Sequence, residues 1–223
     1  MSVLVLYTDY SYCMYESLLE TYTNFLTQKI KDQVSTYRRW QDRQAFVLGK
    51  LLIWEGLKYH RYEEDCLSKL QLNHYGKAYI DSSVFFNLSH SGQYVICAFY
   101  KEEIGIDIEK IEQVDLDDFK TIFSEQEMNQ LRVSLDPLTD FFRLWTVKES
   151  VIKAEGKGLS LPLQLINASK FGTVRVEKKT WYVKEINLFQ NYCCAIATLS
   201  EPSSFFFEKV NFEIINERGR PFT

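Results

Sequence analysis

Two short stretches place ionisable groups where burial should place apolar ones. In Gly105-Ile-Asp-Ile-Glu109, extended from Ile104, three isoleucines alternate with Gly105, Asp107 and Glu109. A strand has a side-chain period of two, so one face is all isoleucine and the other carries two carboxylates side by side. In Trp145-Thr-Val-Lys-Glu-Ser-Val-Ile-Lys153, the helical stripe Leu138, Phe141, Phe142, Trp145, Ile152 has Glu149 inside its apolar arc and Lys153 at the edge. An unpaired carboxylate near a core costs several kcal/mol or more, so Asp107, Glu109 and Glu149 together ask for a cation. Three carboxylates without a histidine form a hard oxygen donor set, which suits Mg²⁺ or Mn²⁺ better than zinc. Magnesium usually shares its shell with substrate phosphate, which points to a phosphoryl-containing ligand. Lys153, four residues after Glu149, reads either as a surface ion-pair partner or as a cation for phosphate oxygens. Ser89 and His90 lie in Asn87-Leu-Ser-His-Ser-Gly92, which reads as a turn between strands; they are candidates for a phosphate or ribose contact.

Other chemistries lack their signatures. No Walker loop, no G-x-S-x-G elbow and no zinc-type Cys/His spacing occurs. A metal-dependent nuclease would also group Asp, Glu and Lys, but here Lys110 follows Glu109 directly and the Glu-x-Lys spacing is missing. A binding module with merely surface acids is the remaining rival.

The elements that must position these residues follow from pattern. Val3–Tyr7 reads as a strand, Leu18–Ile30 as a weak helix and Tyr37–Tyr59 as a strong helix with a Trp40, Phe46, Val47, Leu51, Trp54 stripe. Strands are expected at Val84–Phe86, Tyr94–Tyr100 and Ile104–Ile108. Ser124-Glu-Gln-Glu127 is a capping box. Asp136-Pro137 opens a helix that should stop at Gly156 or Gly158. Strands at Thr173–Glu177, Trp181–Asn187 and Tyr192–Leu199 follow, the first two as a hairpin around Lys178-Lys179. The order implies an α+β chain of two similar lobes, 1–103 and 104–223, with the site between them.

Composition sets outer limits. The 223 residues are 46% hydrophobic and 25% charged, with a net charge of −4, so a general nucleic-acid binder is not supported. Five scattered cysteines, Cys13, Cys66, Cys97, Cys193 and Cys194, read as reduced thiols of a cytoplasmic protein. The first residues lack the basic start of a signal peptide, and no apolar run approaches the roughly 18 residues of a membrane span.

Phe86-Asn-Leu-Ser-His-Ser-Gly92, Gly105-Ile-Asp-Ile-Glu109 and Trp145-Thr-Val-Lys-Glu-Ser-Val-Ile-Lys153, in this order, resemble the motifs of the Sfp-type 4′-phosphopantetheinyl transferases. A weaker likeness runs through Tyr75-Gly-Lys77, Phe123-Ser and Gly156-Lys-Gly-Leu-Ser-Leu-Pro162. The resemblance implies the fold of that family: two similar lobes with pseudo-twofold symmetry, each a small, mainly antiparallel sheet packed with helices. It implies transfer of the phosphopantetheine arm of coenzyme A to a serine of an apo acyl or peptidyl carrier protein, with release of 3′,5′-ADP and a need for Mg²⁺ or Mn²⁺. By the same resemblance Asp107, Glu109 and Glu149 are the metal ligands. Glu149, or Glu109 through a metal-bound water, takes the serine proton, and Lys153 meets the departing phosphate. Ser89, His90, Lys77 and Lys148 become nucleotide or phosphate contacts. Arg43 is the nearest base in the long helix to the position where members carry a basic or hydroxyl residue, and Lys29 and Lys31 stand near the place of N-terminal lysines. A monomer is implied, with the Leu116, Phe119, Ile122, Phe123 face either packed on the core or docking the carrier.

Overall fold

The computed structural model describes residues 2–9, 15–168 and 172–212; Cys13 lies outside them. The chain begins with strand β1 (Val3–Asp9) and helices α1 (Tyr15–Thr21), α2 (Gln28–Thr36) and α3 (Trp40–Tyr59). The single helix expected over 18–30 is two. Thr27 breaks it, because its hydroxyl accepts the Ile30 amide as an N-cap. Trp40, expected on the buried stripe of α3, is 54% exposed at the helix start. The small pair β2 (Gln71–Leu72) and β3 (Ala78–Tyr79) flanks the Tyr75-Gly76 turn.

Next come β4 (Phe85–Ser91), β5 (Tyr94–Tyr100) and β6 (Ile104–Lys110). Asn87–Ser91, expected as a turn, is therefore strand. Only Gly92 and Gln93 turn, with Gly92 at φ +57°, a glycine-first loop suited to a two-residue hairpin. Helix α4 (Glu125–Val133) starts on the expected capping box, both halves of which form. Helix α5 (Pro137–Glu155) starts with Asp136 accepting the Thr139 amide and ends at Gly156 in the left-handed conformation. Strands β7 (Gly172–Val176), β8 (Lys179–Glu185) and β9 (Tyr192–Thr198) follow as expected, and β10 (Phe205–Lys209) closes the described chain.

Two four-stranded sheets result, ordered β10-β1-β5-β4 and β6-β9-β8-β7. All pairings within them are antiparallel except β1 with β10. That parallel pair returns residues 205–209 to the sheet of β1, across a division at 103/104. Helix α3 packs on the first sheet and α5 on the second. Between the sheets lies a shared core of Val3, Val5, Ile96, Ala98, Ile104, Ile106, Ile108 and Ile196. The alternation in β6 is realised as read: its isoleucines enter that core, and Gly105, Asp107 and Glu109 face the other way. A Cβ on Gly105 would collide with the Ser150 carbonyl and the Ala154 backbone. This glycine lets α5 settle directly on β6.

The sheets meet where edge strand β4 runs beside edge strand β6. Asn87 Oδ1 accepts the Ile106 amide at 2.9 Å, Ser89 Oγ accepts that of Ile108 at 3.3 Å and Ser91 Oγ that of Lys110 at 3.0 Å. Alternate side chains of β4 thus stand in for the carbonyls that a further strand would supply, and satisfy an edge that would otherwise be orphaned.

Candidate active site

Asp107, Glu109, Glu149, Lys153, Ser89 and His90 line one cavity of about 960 Å³ at this seam, together with Asp42 and Trp145. Asp107 is 2% exposed. Its Oδ1 accepts the Ser89 hydroxyl at 2.9 Å and the Lys153 ammonium at 2.6 Å. Lys153 also donates to Ser89 Oγ at 2.9 Å. Glu109 Oε2 accepts the Ser91 hydroxyl at 2.8 Å. Each of these serines therefore accepts an amide of β6 and donates to the carboxylate of the preceding β6 residue.

The electrostatics match a site built for positive charge. Burial raises the Asp107 pKa, opposed by Lys153. Burial and then the Asp107 charge push Glu109 up to about 7 and also raise Glu149. Desolvation in the cavity, with Lys153 second, holds the His90 imidazole below its ordinary value. His90 itself sits exposed at the mouth.

Among the described residues, no three His, Cys, Asp or Glu side chains are gathered closely enough to form a ready metal cage. The donor set nonetheless fits a hard cation. Asp107 Oδ2 is buried with no hydrogen-bond partner, Glu149 has no ion pair or hydrogen bond among the described residues, and both face one cavity with Glu109. An orphaned carboxylate oxygen and a second free carboxylate are what an oxygen-seeking divalent ion would complete.

A second cavity, about 310 Å³, adjoins the first and shares Leu88, Glu149 and Lys153 with it; Lys50, Tyr75, Gly76 and Lys77 form its far wall. Lys77 does not offer a free ammonium there. Its Nζ donates to the Ile104 and Ala154 carbonyls at 3.0 Å each, tying the β2–β3 turn to β6 and α5. Asn73 Nδ2 adds a bond to the Gly156 carbonyl.

Two expected contacts are elsewhere. Lys148 is corrected outright: its side chain is 0% exposed, pairs with Glu127 at 2.9 Å and donates to the Leu163 and Ile166 carbonyls. Its ammonium is taken up by these protein partners, and neither cavity counts it among its walls. Arg43 gives its guanidinium to the Tyr37 carbonyl and the Tyr15 hydroxyl, both at 2.9 Å, and neither cavity counts it among its walls. Phe119 and Phe123 pack in a cluster with Phe141 and Trp145, whereas Ile122 reaches the larger cavity. Sequence reasoning missed Ser91, Asn87 and Lys50. The period-two spacing of Asn87, Ser89 and Ser91 was the available signal for the first two. Lys50, three residues before the buried Ile53 on the inner side of α3, was the signal for the third.

Comparison with known proteins gives a consistent picture. A model of the 4′-phosphopantetheinyl transferase superfamily matches residues 103–197. A 4′-phosphopantetheinyl transferase, gsp, of Aneurinibacillus migulanus is 33% identical over 189 residues, covering 79% of both chains. The 4′-phosphopantetheinyl transferase Sfp of Bacillus subtilis is 33% identical over 187 residues, 79% of this chain and 84% of that one. An L-aminoadipate-semialdehyde dehydrogenase-phosphopantetheinyl transferase of Saccharomyces cerevisiae is 35% identical over 121 residues, 48% of this chain and 43% of its own.

Proposed function

The chain belongs to the 4′-phosphopantetheinyl transferase superfamily and is an enzyme that transfers phosphopantetheine to a carrier protein; we propose that the seam cavity is where it does so, on coenzyme A and with magnesium. The observation that carries this reading is the convergence of Asp107, Glu109, Glu149 and Lys153 on one cavity from β6 and α5.

Asp107, Glu109 and Glu149 would hold Mg²⁺, or Mn²⁺ in its place, and the bound ion would neutralise oxygens of the coenzyme A pyrophosphate. The carrier's serine oxygen attacks the pantetheine-side phosphorus. A new P–O bond forms there, and the P–O bond to 3′,5′-ADP breaks. Glu149 takes the serine proton, because its carboxyl has no ion pair or hydrogen bond among the described residues and faces the cavity. Lys153 meets the negative charge that builds on the departing phosphate. Little covalent chemistry is left to the protein, and positioning with charge neutralisation does most of the work.

The substrate is placed across the two adjoining cavities, which share Leu88, Glu149 and Lys153. The reacting pyrophosphate belongs by the acids, with His90 and Ser89 beside it, and the nucleotide extends toward Tyr75-Gly76-Lys77. Lys77 then serves as wall, since its ammonium is held by two carbonyls. The half-buried Leu116, Phe119 and Ile122 surface is the proposed dock for the apo acyl or peptidyl carrier. The described cysteines Cys66, Cys97, Cys193 and Cys194 are buried and unbridged, and none of the described helices is long and apolar enough to cross a membrane. Unbridged thiols suit a reducing compartment, and a cytoplasmic monomer is the form proposed here.

The test is incubation with coenzyme A, Mg²⁺ and a panel of apo carrier proteins, read by mass spectrometry. At least one carrier should gain a phosphopantetheine arm. No gain on any acyl or peptidyl carrier overturns the reading.

A further inference from the structure

Three lysines line the second cavity: Lys50, Lys77 and Lys153. Two have protein partners already, Lys77 in the Ile104 and Ala154 carbonyls and Lys153 in Asp107 and Ser89. Lys50 differs. It stands half-buried on α3, with Gly49 beside it packed against Leu88. Its Nζ lies 5.0 Å from the centroid of the Phe46 ring. Among the described residues it has no carboxylate within ion-pair distance and no hydrogen bond.

A cation drawn out of water without an opposite charge is a net loss to the fold, and such a loss is retained where a ligand completes the pair. The Phe46 ring stabilises the ammonium only in part, since its attraction is weaker than that of an anion. Burial is the main influence on the amine and lowers its pKa, as expected for a charge still waiting for its partner. The cavity it lines adjoins the acids through Glu149 and Lys153. An anion held there lies within the same substrate as the group reacting at the seam.

We propose that Lys50 is a substrate-binding residue that pairs with a phosphate group at the nucleotide end of coenzyme A. The identity of that anion rests on the transfer reaction proposed above. The pairing is absent in the free protein and forms only on binding, so Lys50 contributes to affinity at the expense of stability.

The two effects are measured together on Lys50→Met, which keeps the aliphatic stem, and on Lys50→Gln should the first variant fold poorly. Thermal unfolding of the free protein should show a midpoint equal to or above wild type. Coenzyme A should protect the variant less than the wild type, and KM for coenzyme A should rise about tenfold or more, the weight of one charge-assisted hydrogen bond. kcat should stay within roughly twofold. Lys50→Arg should restore most of the affinity. Running the same assays on 3′-dephospho-coenzyme A locates the phosphate. A loss confined to coenzyme A assigns the 3′-phosphate, and an equal loss on both assigns the pyrophosphate; either supports the pairing. An unchanged KM on both, or a lowered midpoint with unchanged protection, overturns it. If coenzyme A fails to protect the wild type, the transfer reading falls first. If it protects wild type and variant alike, only the role of Lys50 falls.

Discussion

The Ser89 hydroxyl donates to Asp107 Oδ1 at 2.9 Å while it accepts the Ile108 amide at 3.3 Å. One side chain therefore closes the seam between two sheets and aims the most deeply buried acid of the site. Ser91 repeats the arrangement one period on, with the Lys110 amide and Glu109. The acids of β6 are held by the strand that joins the halves, so the geometry of the site and the docking of the sheets are the same set of bonds.

Ser89→Ala should accordingly lower both stability and turnover. It leaves the buried Ile108 amide without its acceptor, a loss of about 1–3 kcal/mol, and releases the Asp107 carboxylate. Urea denaturation and steady-state kinetics on the same preparation check this. Full stability with reduced turnover would mean that the seam does not depend on the hydroxyl.

Lys148→Met should act on the fold alone. Stranding Glu127 in the interior should cost about 3–5 kcal/mol. The double variant Lys148→Met with Glu127→Gln should recover part of that, because no bare charge remains. KM for coenzyme A in the folded fraction should match wild type. A raised KM would return Lys148 to the substrate.

Lys77 gives a pH signature. Burial pushes its ammonium down to about 8 from an ordinary 10.5. Between those values the unfolded chain binds more protons than the folded one, so this residue's contribution to stability grows as pH rises through that window. A neutral amine still has two N–H groups for the Ile104 and Ala154 carbonyls. The difference in unfolding free energy between wild type and Lys77→Met should therefore increase from about pH 7 to about pH 10. A flat or falling difference contradicts the assignment.

His90→Ala should raise KM for coenzyme A more than it lowers kcat. The imidazole is exposed and makes none of the hydrogen bonds that hold Asp107, Ser89 and Lys153, so its loss should weaken binding without releasing the acids. An unchanged KM would remove His90 from the binding surface.

The elements of this fold with strong local signals were legible in the sequence. The Ser124 capping box, the Asp136-Pro137 start, the Gly156 stop and the isoleucine alternation of β6 all took the form their residues dictate, because each depends on neighbours within a turn or two. The start of strand β4 was legible, but Asn87–Ser91 reads as a turn, since Asn and Ser serve turns as well as sheet edges. Here their side chains accept amides from β6, a partner no local pattern reveals. Strand β10 escaped for the same reason: Phe205–Phe207 shows no alternation and pairs with β1 from the far end of the chain. Of the residues that line the seam cavity, Asp107, Glu109, Glu149 and Lys153 were legible because acids and a lysine interrupt apolar periodicities. Lys148 misled because it stands beside Glu149 in the motif, yet one helical residue turns it about 100°, into the α4–α5 interface.

The central claim is that Asp107, Glu109 and Glu149 make the seat of transfer, and Glu149→Gln tests it most directly, being nearly isosteric and leaving no hydrogen bond broken among the described residues. Phosphopantetheine transfer from coenzyme A to an apo carrier should be measured by mass for wild type and variant at ordinary Mg²⁺, with thermal unfolding as the control. The fold should stay intact and transfer should be lost. A well-folded Glu149→Gln that still loads its carrier at the wild-type rate would contradict it.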